Sequence, residues 1–160
     1  MLYQSCKDDF LALTRLIVVN CNSMNRNCTI LWAEDDDDDI GLISEAAGEI
    51  KVRHLIDFAR NGEDALQKLF RSKLTKSLPQ LIVLDNNMPI MTGFETLKQI
   101  LQYEEFKSIP VVFFTTGQVG SELPLIKDHA QVFLKPSTYE SFLQTIKQIL
   151  ALCEQPSVRN

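Results

Sequence analysis

From residue 28 onward, apolar residues recur along the chain in two alternating rhythms. Thr29–Ala33 is a short, almost wholly apolar run that ends in acids, as a strand covered on both faces would read. Ile40, Ile43, Ala47 and Ile50 then stand at helical spacing and predict a helix over 40–50. Residues 52–59 alternate and predict a second strand. Asn61-Gly62 marks a turn into a helix over 63–73. Pro79 precedes a third apolar run, Leu81–Leu84, and a helical pattern follows over 93–103. Two further buried runs lie at 109–114 and 132–134. A helix over 137–152, with Phe142, Ile146 and Ile149 on one face, closes the pattern. Strands this apolar, each followed by a helix, predict an α/β fold: a doubly wound five-stranded parallel sheet with helices on both faces and right-handed crossovers.

The first 27 residues do not share this pattern. Residues 20–27 are polar and unpatterned, as a linker would be, and Met24 lies just ahead of the first strand. Two readings stand: translation starting at Met24 with an upstream extension, or an amphipathic helix over 7–19 that packs on the domain or a partner. Phe10–Val19 is broken by Thr14 and Arg15 and is too short to span a bilayer. Asp8 and Asp9 stand where a signal peptide would be basic, so neither export nor a membrane is expected. The chain therefore divides into an extension over 1–27, one domain over 28–153 and a tail over 154–160.

Composition narrows the function. The net charge is −5 over 160 residues, with no cluster of Lys and Arg, which argues against direct nucleic-acid binding. Cys6, Cys21, Cys28 and Cys153 form no C-x-x-C pair and no zinc-ligand spacing with His. They read as free thiols of a cytoplasmic protein.

In sheets of this kind ligands bind beyond the carboxyl ends of the strands, at the switch in strand order. Glu34 and Asp35 follow the first strand, Asp85 the third, Thr115 and Thr116 the fourth, and Lys135 and Pro136 the fifth. Converging carboxylates repel one another and need a cation or protons. An all-oxygen set suits Mg²⁺. A nearby hydroxyl and ammonium are what the charged oxygens of a transferring phosphoryl group require, and a carboxylate can itself accept that group as an aspartyl phosphate. Taken singly, each residue has a plainer reading. Asp37, Asp38 and Asp39 read as solvated acids favoured at a helix start. Asp85 could cap a turn before Pro89, Thr115 could be structural, and Lys135 could be a surface lysine. Their coincidence at four strand ends favours the chemical reading.

These residues resemble the receiver domain of two-component response regulators, over residues 28 to about 152. Ile30-Leu-Trp-Ala-Glu-Asp-Asp36 resembles the family's first strand and acidic pair. The block from Leu81 through Asp85, Met88-Pro89 and Thr92-Gly93 to Glu95 resembles its phospho-acceptor segment and is the most specific signal. Pro110–Thr116 and Phe133–Pro136 resemble the fourth and fifth strands. The resemblance implies a flavodoxin-like sheet of strand order 2-1-3-4-5. It implies that Asp85 is the phospho-acceptor and a metal ligand. Asp35 would ligate Mg²⁺, with Glu34 acting directly or through water, and the Asn87 backbone carbonyl would be another ligand. Thr115 would bond a phosphoryl oxygen, and Lys135 would pair with the acceptor or the phosphoryl group, ahead of a cis bond to Pro136. The implied donor is a phosphohistidine on a sensor histidine kinase or histidine phosphotransfer protein. The implied activity is a switch that catalyses its own phosphorylation and dephosphorylation, not an enzyme with a separate substrate.

Three features depart from that pattern. The aromatic residue usual three positions before the lysine is replaced by Val132, and Phe133 should face the other side of the strand. A slipped register would restore the aromatic. Gly117, Gly120 and Pro124 predict a reduced or irregular fourth helix. No output domain follows the fifth helix, so output is expected through protein contact or onward phosphoryl transfer. Two other classes stand beside the leading one. A phosphatase of similar architecture would want a second Asp where Asn87 stands, and a non-phosphorylated pseudo-receiver would act as a binding scaffold.

Overall fold

The computed structural model describes residues 28–51, 53–117 and 123–154. The readings of residues 1–27, Val52, Gly120 and the tail beyond Glu154 lie outside them. Five strands form one parallel sheet: β1 (Thr29–Ala33), β2 (Leu55–Ala59), β3 (Leu81–Leu84), β4 (Val111–Thr115) and β5 (Ala130–Leu134). Their order is β2-β1-β3-β4-β5, as the resemblance implies. The helices are α1 (Asp37–Ile50), α2 (Gly62–Leu74), α3 (Gly93–Ile100), α4 (Glu104–Lys107), α5 (Leu123–His129) and α6 (Tyr139–Glu154). Chain direction around the sheet reverses between β1 and β3, which opens the crevice for the site at their carboxyl ends.

Alternate residues of the central strands feed two separate cores. Ile30, Trp32, Leu81, Val83, Val112 and Phe114 pack against Ile43 and Ala46 of α1 and Phe142, Ile146 and Ile149 of α6. Leu31, Ala33, Ile82, Leu84 and Phe113 pack against Leu69 of α2, Leu97 and Ile100 of α3 and Ile126 of α5. Both faces are covered, which explains why these strands are apolar throughout.

Element boundaries differ from the sequence pattern where caps and packing decide them. Helix α1 starts at Asp37 rather than 40, because Asp36 caps it and accepts the N–H groups of Asp38 and Asp39. The pattern over 93–103 breaks after Ile100. A Thr92–Glu95 capping box fixes the start of α3, and the chain then turns so that Phe106 packs against Phe70 and Tyr103 with ring centroids 5.3 and 5.6 Å away. The helix after β4 is short, as expected, with Pro124 in its first turn, where a missing N–H leaves no bond unmade. The register is not slipped: Val132 pairs with Phe113, and Phe133 with Phe114. Val132 packs on the core under α2 and α3, whereas Phe133 packs on the opposite core. No peptide bond among the described residues is cis, so the bond before Pro136 is trans. That corrects the cis form implied by the resemblance, and trans is the ordinary isomer even before proline.

Candidate functional site

Glu34, Asp85 and Lys135 each stand just beyond a strand end and are pinned there by the backbone. Glu34, first after β1, donates its N–H to Ala59 O at 2.9 Å, and Asp85, first after β3, donates to Ala33 O at 3.0 Å. Lys135, first after β5, donates to Thr115 O at 2.9 Å. The sheet ladder thus runs one step past the strands and holds all three side chains on rigid elements.

The loop that follows Asp85 is fixed by its own polar atoms. Asn87 N donates to Asp85 Oδ2 at 2.9 Å, which fixes one carboxylate oxygen. The side chain of Asn86 turns away and accepts Phe94 N at 3.1 Å, while its carbonyl accepts Gly93 N at 3.3 Å. Ile90, 77% exposed, holds a left-handed backbone (φ 70°) that costs a β-branched residue on the order of 1–3 kcal/mol. Thr115 is buried, and its hydroxyl accepts Gly117 N at 3.4 Å.

Glu34, Asp35 and Asp85 bring one carboxylate oxygen each to within 4.8 Å of one another. Three hard oxygen donors at one point offer the one or two carboxylates by which Mg²⁺ is usually held, with waters completing its shell. Asp35 is exposed, while Glu34 and Asp85 are 1% and 4% exposed, so the cluster opens to solvent on one side. Asn87 adjoins it through its N–H.

The Lys135 ammonium lies at the centre of the acids. It donates to Glu34 Oε2 at 2.6 Å and to Asp39 Oδ2 at 2.6 Å, and stands 3.7 Å from Asp85 Oδ1. It also lies 5.8 Å over the Phe114 ring. Burial pulls its pKa down, but the bonds from Asp39 and Glu34 outweigh that and hold it above the ordinary lysine value. Burial pushes the Glu34 carboxyl up to about 7 against the pull of Lys135, with the nearby Asp85 adding to the rise.

Sequence reasoning located Glu34, Asp35, Asp85, Thr115 and Lys135 at these strand ends. It missed Asp39, read as a solvated first-turn acid. The structure corrects that reading, because Asp39 is an ion-pair partner of Lys135. A signal was present: Asp39 stands four residues before Ile43, so it shares the inward stripe of α1. Asp37, by contrast, is 83% exposed in its side chain and pairs with Arg60 at 2.5 Å.

The raised Glu34 carboxyl makes a pH prediction. Below about pH 7 a cation at this cluster must displace a proton. Mg²⁺ affinity, read from the fluorescence of Trp32, the chain's single tryptophan, is expected to fall several-fold from pH 8 to pH 6. Calorimetry in buffers of different ionisation enthalpy should show proton release near pH 7, and Glu34→Gln should abolish it. Without cation the sign reverses for stability. The folded state binds more protons than the unfolded state between the ordinary carboxylate pKa of 4.5 and about 7, so stability from this group falls as pH rises through that window. A flat Mg²⁺ affinity from pH 6 to 8 would contradict the assignment.

Comparison with known proteins agrees with this geometry. The family model "Response regulator receiver domain" matches residues 30–147. A probable methanogenesis regulatory protein, FilR2 of Methanothrix harundinacea, is 32% identical over 123 residues, which covers 75% of this chain and 79% of that protein. The next three curated relatives are longer proteins, of which the match spans between 19% and 40%. Among solved structures, the phosphorylated cyanobacterial phytochrome response regulator RcpA is 30% identical with a TM-score of 0.70, covering 78% of this chain and 91% of that one. The Mn²⁺-bound form of response regulator Rcp1 is 27% identical with a TM-score of 0.66, covering 78% and 92%. Among the described residues no helix is long and apolar enough to cross a membrane.

Proposed function

This chain belongs to the response regulator receiver family, and from that premise we propose that it accepts a phosphoryl group on Asp85 and switches a protein-interaction surface in response. One observation carries the reading. Asp85 is a buried carboxylate with Oδ2 held by the Asn87 N–H at 2.9 Å and Oδ1 facing the Lys135 ammonium at 3.7 Å, beside two further acids. A purely structural aspartate would have no use for two more carboxylates at the same point.

Glu34, Asp35, Asp85 and the backbone carbonyl of Asn87 would hold the Mg²⁺, which supplies charge neutralisation for the phosphoryl oxygens when bound. The donor is a phosphohistidine of a sensor histidine kinase or histidine phosphotransfer protein. An Asp85 oxygen attacks phosphorus in line; the P–N bond to the donor breaks, and its electron pair returns to the imidazole. Lys135 offsets the charge that builds on the transferred group. The Thr115 hydroxyl turns from Gly117 toward a phosphoryl oxygen, and the loop after β4 follows. The surface around α5 and β5 changes in turn, and Val132 brings no aromatic ring to that relay. The protein is a cytoplasmic switch that catalyses its own phosphorylation and dephosphorylation. The phosphorylated state of RcpA and the bound Mn²⁺ of Rcp1 support the two halves of this reading by family likeness.

The test is intact mass after incubation with acetyl phosphate and Mg²⁺. Wild type is expected to gain one phosphoryl mass, and both Asp85→Asn and removal of Mg²⁺ to abolish the gain. No gain in wild type, together with no Mg²⁺-dependent binding of beryllofluoride, would sink the proposal and leave a binding scaffold.

A further inference from the structure

The ammonium at the centre of the site is claimed twice. Two of the three N–H donors of Lys135 go to Glu34 and Asp39, each at 2.6 Å, while Asp85 is left at 3.7 Å, beyond hydrogen-bond reach. The two claims differ in kind. Glu34 belongs to the cluster of three carboxylates that a cation would draw upon, and Asp39 does not. Occupancy of that cluster by a cation would weaken the first claim and leave the second in force.

Asp39 is also fixed in place. Its N–H donates to the capping carboxylate of Asp36 at 3.2 Å, and Ile43, one turn further along α1, is fully buried in the core. Of the acids that open α1, Asp37 points outward to Arg60 and Asp38 is exposed, whereas Asp39 is 29% exposed in its side chain and turned to the lysine.

We infer that Asp39 is a positioning residue that holds the Lys135 ammonium away from Asp85 in the unphosphorylated protein. This rests on the reading of Asp85 as the acceptor. A carboxylate carries one negative charge, and a phosphoryl group close to two at neutral pH, so the modified Asp85 outcompetes Asp39 for the lysine where the bare carboxylate does not. Asp39 therefore sets how much the lysine's transfer contributes to the switch, without touching donor or acceptor.

The competition can be read without any phosphorylation. Asp85→Asn and Lys135→Met, singly and together, give a double-mutant cycle by urea denaturation in metal-free buffer at pH 8. The cycle is run in wild type and again with Asp39→Asn, which keeps shape and removes charge. The coupling between Asp85 and Lys135, read as a factor in the unfolding equilibrium constant, is expected to grow roughly threefold to tenfold once Asp39 is neutral. Asp39→Ala, which also removes the acceptor atoms, should act in the same direction. Unchanged or weaker coupling in both backgrounds overturns the inference. The second readout is the rate of labelling by acetyl phosphate with Mg²⁺. Asp39→Asn should raise the maximal rate constant several-fold and leave the half-saturating acetyl phosphate concentration unchanged. An unchanged or slower maximal rate overturns the inference while Asp85 stands as acceptor. Wild type that takes no label overturns the acceptor reading instead, and the metal-free cycle still decides the role of Asp39.

Discussion

Replacing Lys135 with Met is expected to cost about 3–5 kcal/mol of stability at pH 8, the range for breaking a buried ion pair by removing one partner. The lysine side chain is 7% exposed and faces Glu34, Asp39 and Asp85. Methionine fills a similar volume but leaves three carboxylates with no internal cation. Glu34, already pushed up by burial, then loses the lysine that pulls it down, so the folded state of the variant binds more protons at this group than the unfolded state above the ordinary carboxylate range. Its stability must fall as pH rises, and the deficit against wild type should shrink toward pH 5.5. Added Mg²⁺ should restore more stability to the variant than to wild type, because a cation replaces the lost charge. Urea denaturation followed through Trp32 at the two pH values, with and without Mg²⁺, measures all three effects. A cost below about 1 kcal/mol at pH 8 would mean that the site is far more solvated than its burial implies.

Gly93→Ala should be comparably damaging for a different reason. A Cβ at Gly93 would stand 2.3 Å from the Asp85 carbonyl oxygen and 3.1 Å from Asn86 Cα. Both neighbours are backbone and cannot rotate aside, so the acceptor loop itself must move. Overpacking of this kind costs about 1–3 kcal/mol or more. A displacement near 1 Å at a reacting group costs on the order of 100-fold in rate, so labelling from acetyl phosphate should fall steeply even in the folded fraction. Gly41→Ala is the matched control. Nothing lies within 4 Å of a Cβ there, and a mid-helix alanine should stabilise α1 by about 0.5–1 kcal/mol with labelling unchanged. Equal behaviour of the two variants would show that close approach at Gly93 does not position Asp85.

The central strands were legible because they are buried on both faces and therefore almost wholly apolar, as Leu81–Leu84 shows, whereas the edge strand β2 was legible by its alternation. The site was legible for a related reason: polar residues stand out where such a run stops. Asp39 was hidden because it does two jobs with one signature. An acid in the first turn is already accounted for by the helix dipole, so its sequence position gives no cause to look further. Its inward direction depends on where α1 starts, and the cap at Asp36 set that start three residues earlier than apolar spacing alone implied. The break after Ile100 was hidden because Tyr103 and Phe106 continue a plausible helical spacing. Packing on Phe70, a residue of another helix, decides the turn.

Glu34 and Lys135 are 101 residues apart in the chain yet share one hydrogen bond, and Asp85 falls between them. During synthesis the acceptor and its acidic neighbours therefore exist well before their counter-ion has been made. A stalled or clipped chain that ends ahead of β5 would carry the acceptor aspartate but neither the lysine nor the strand that presents it. Such a fragment should take no label, so incomplete copies of this protein would be silent in signalling rather than wrongly active.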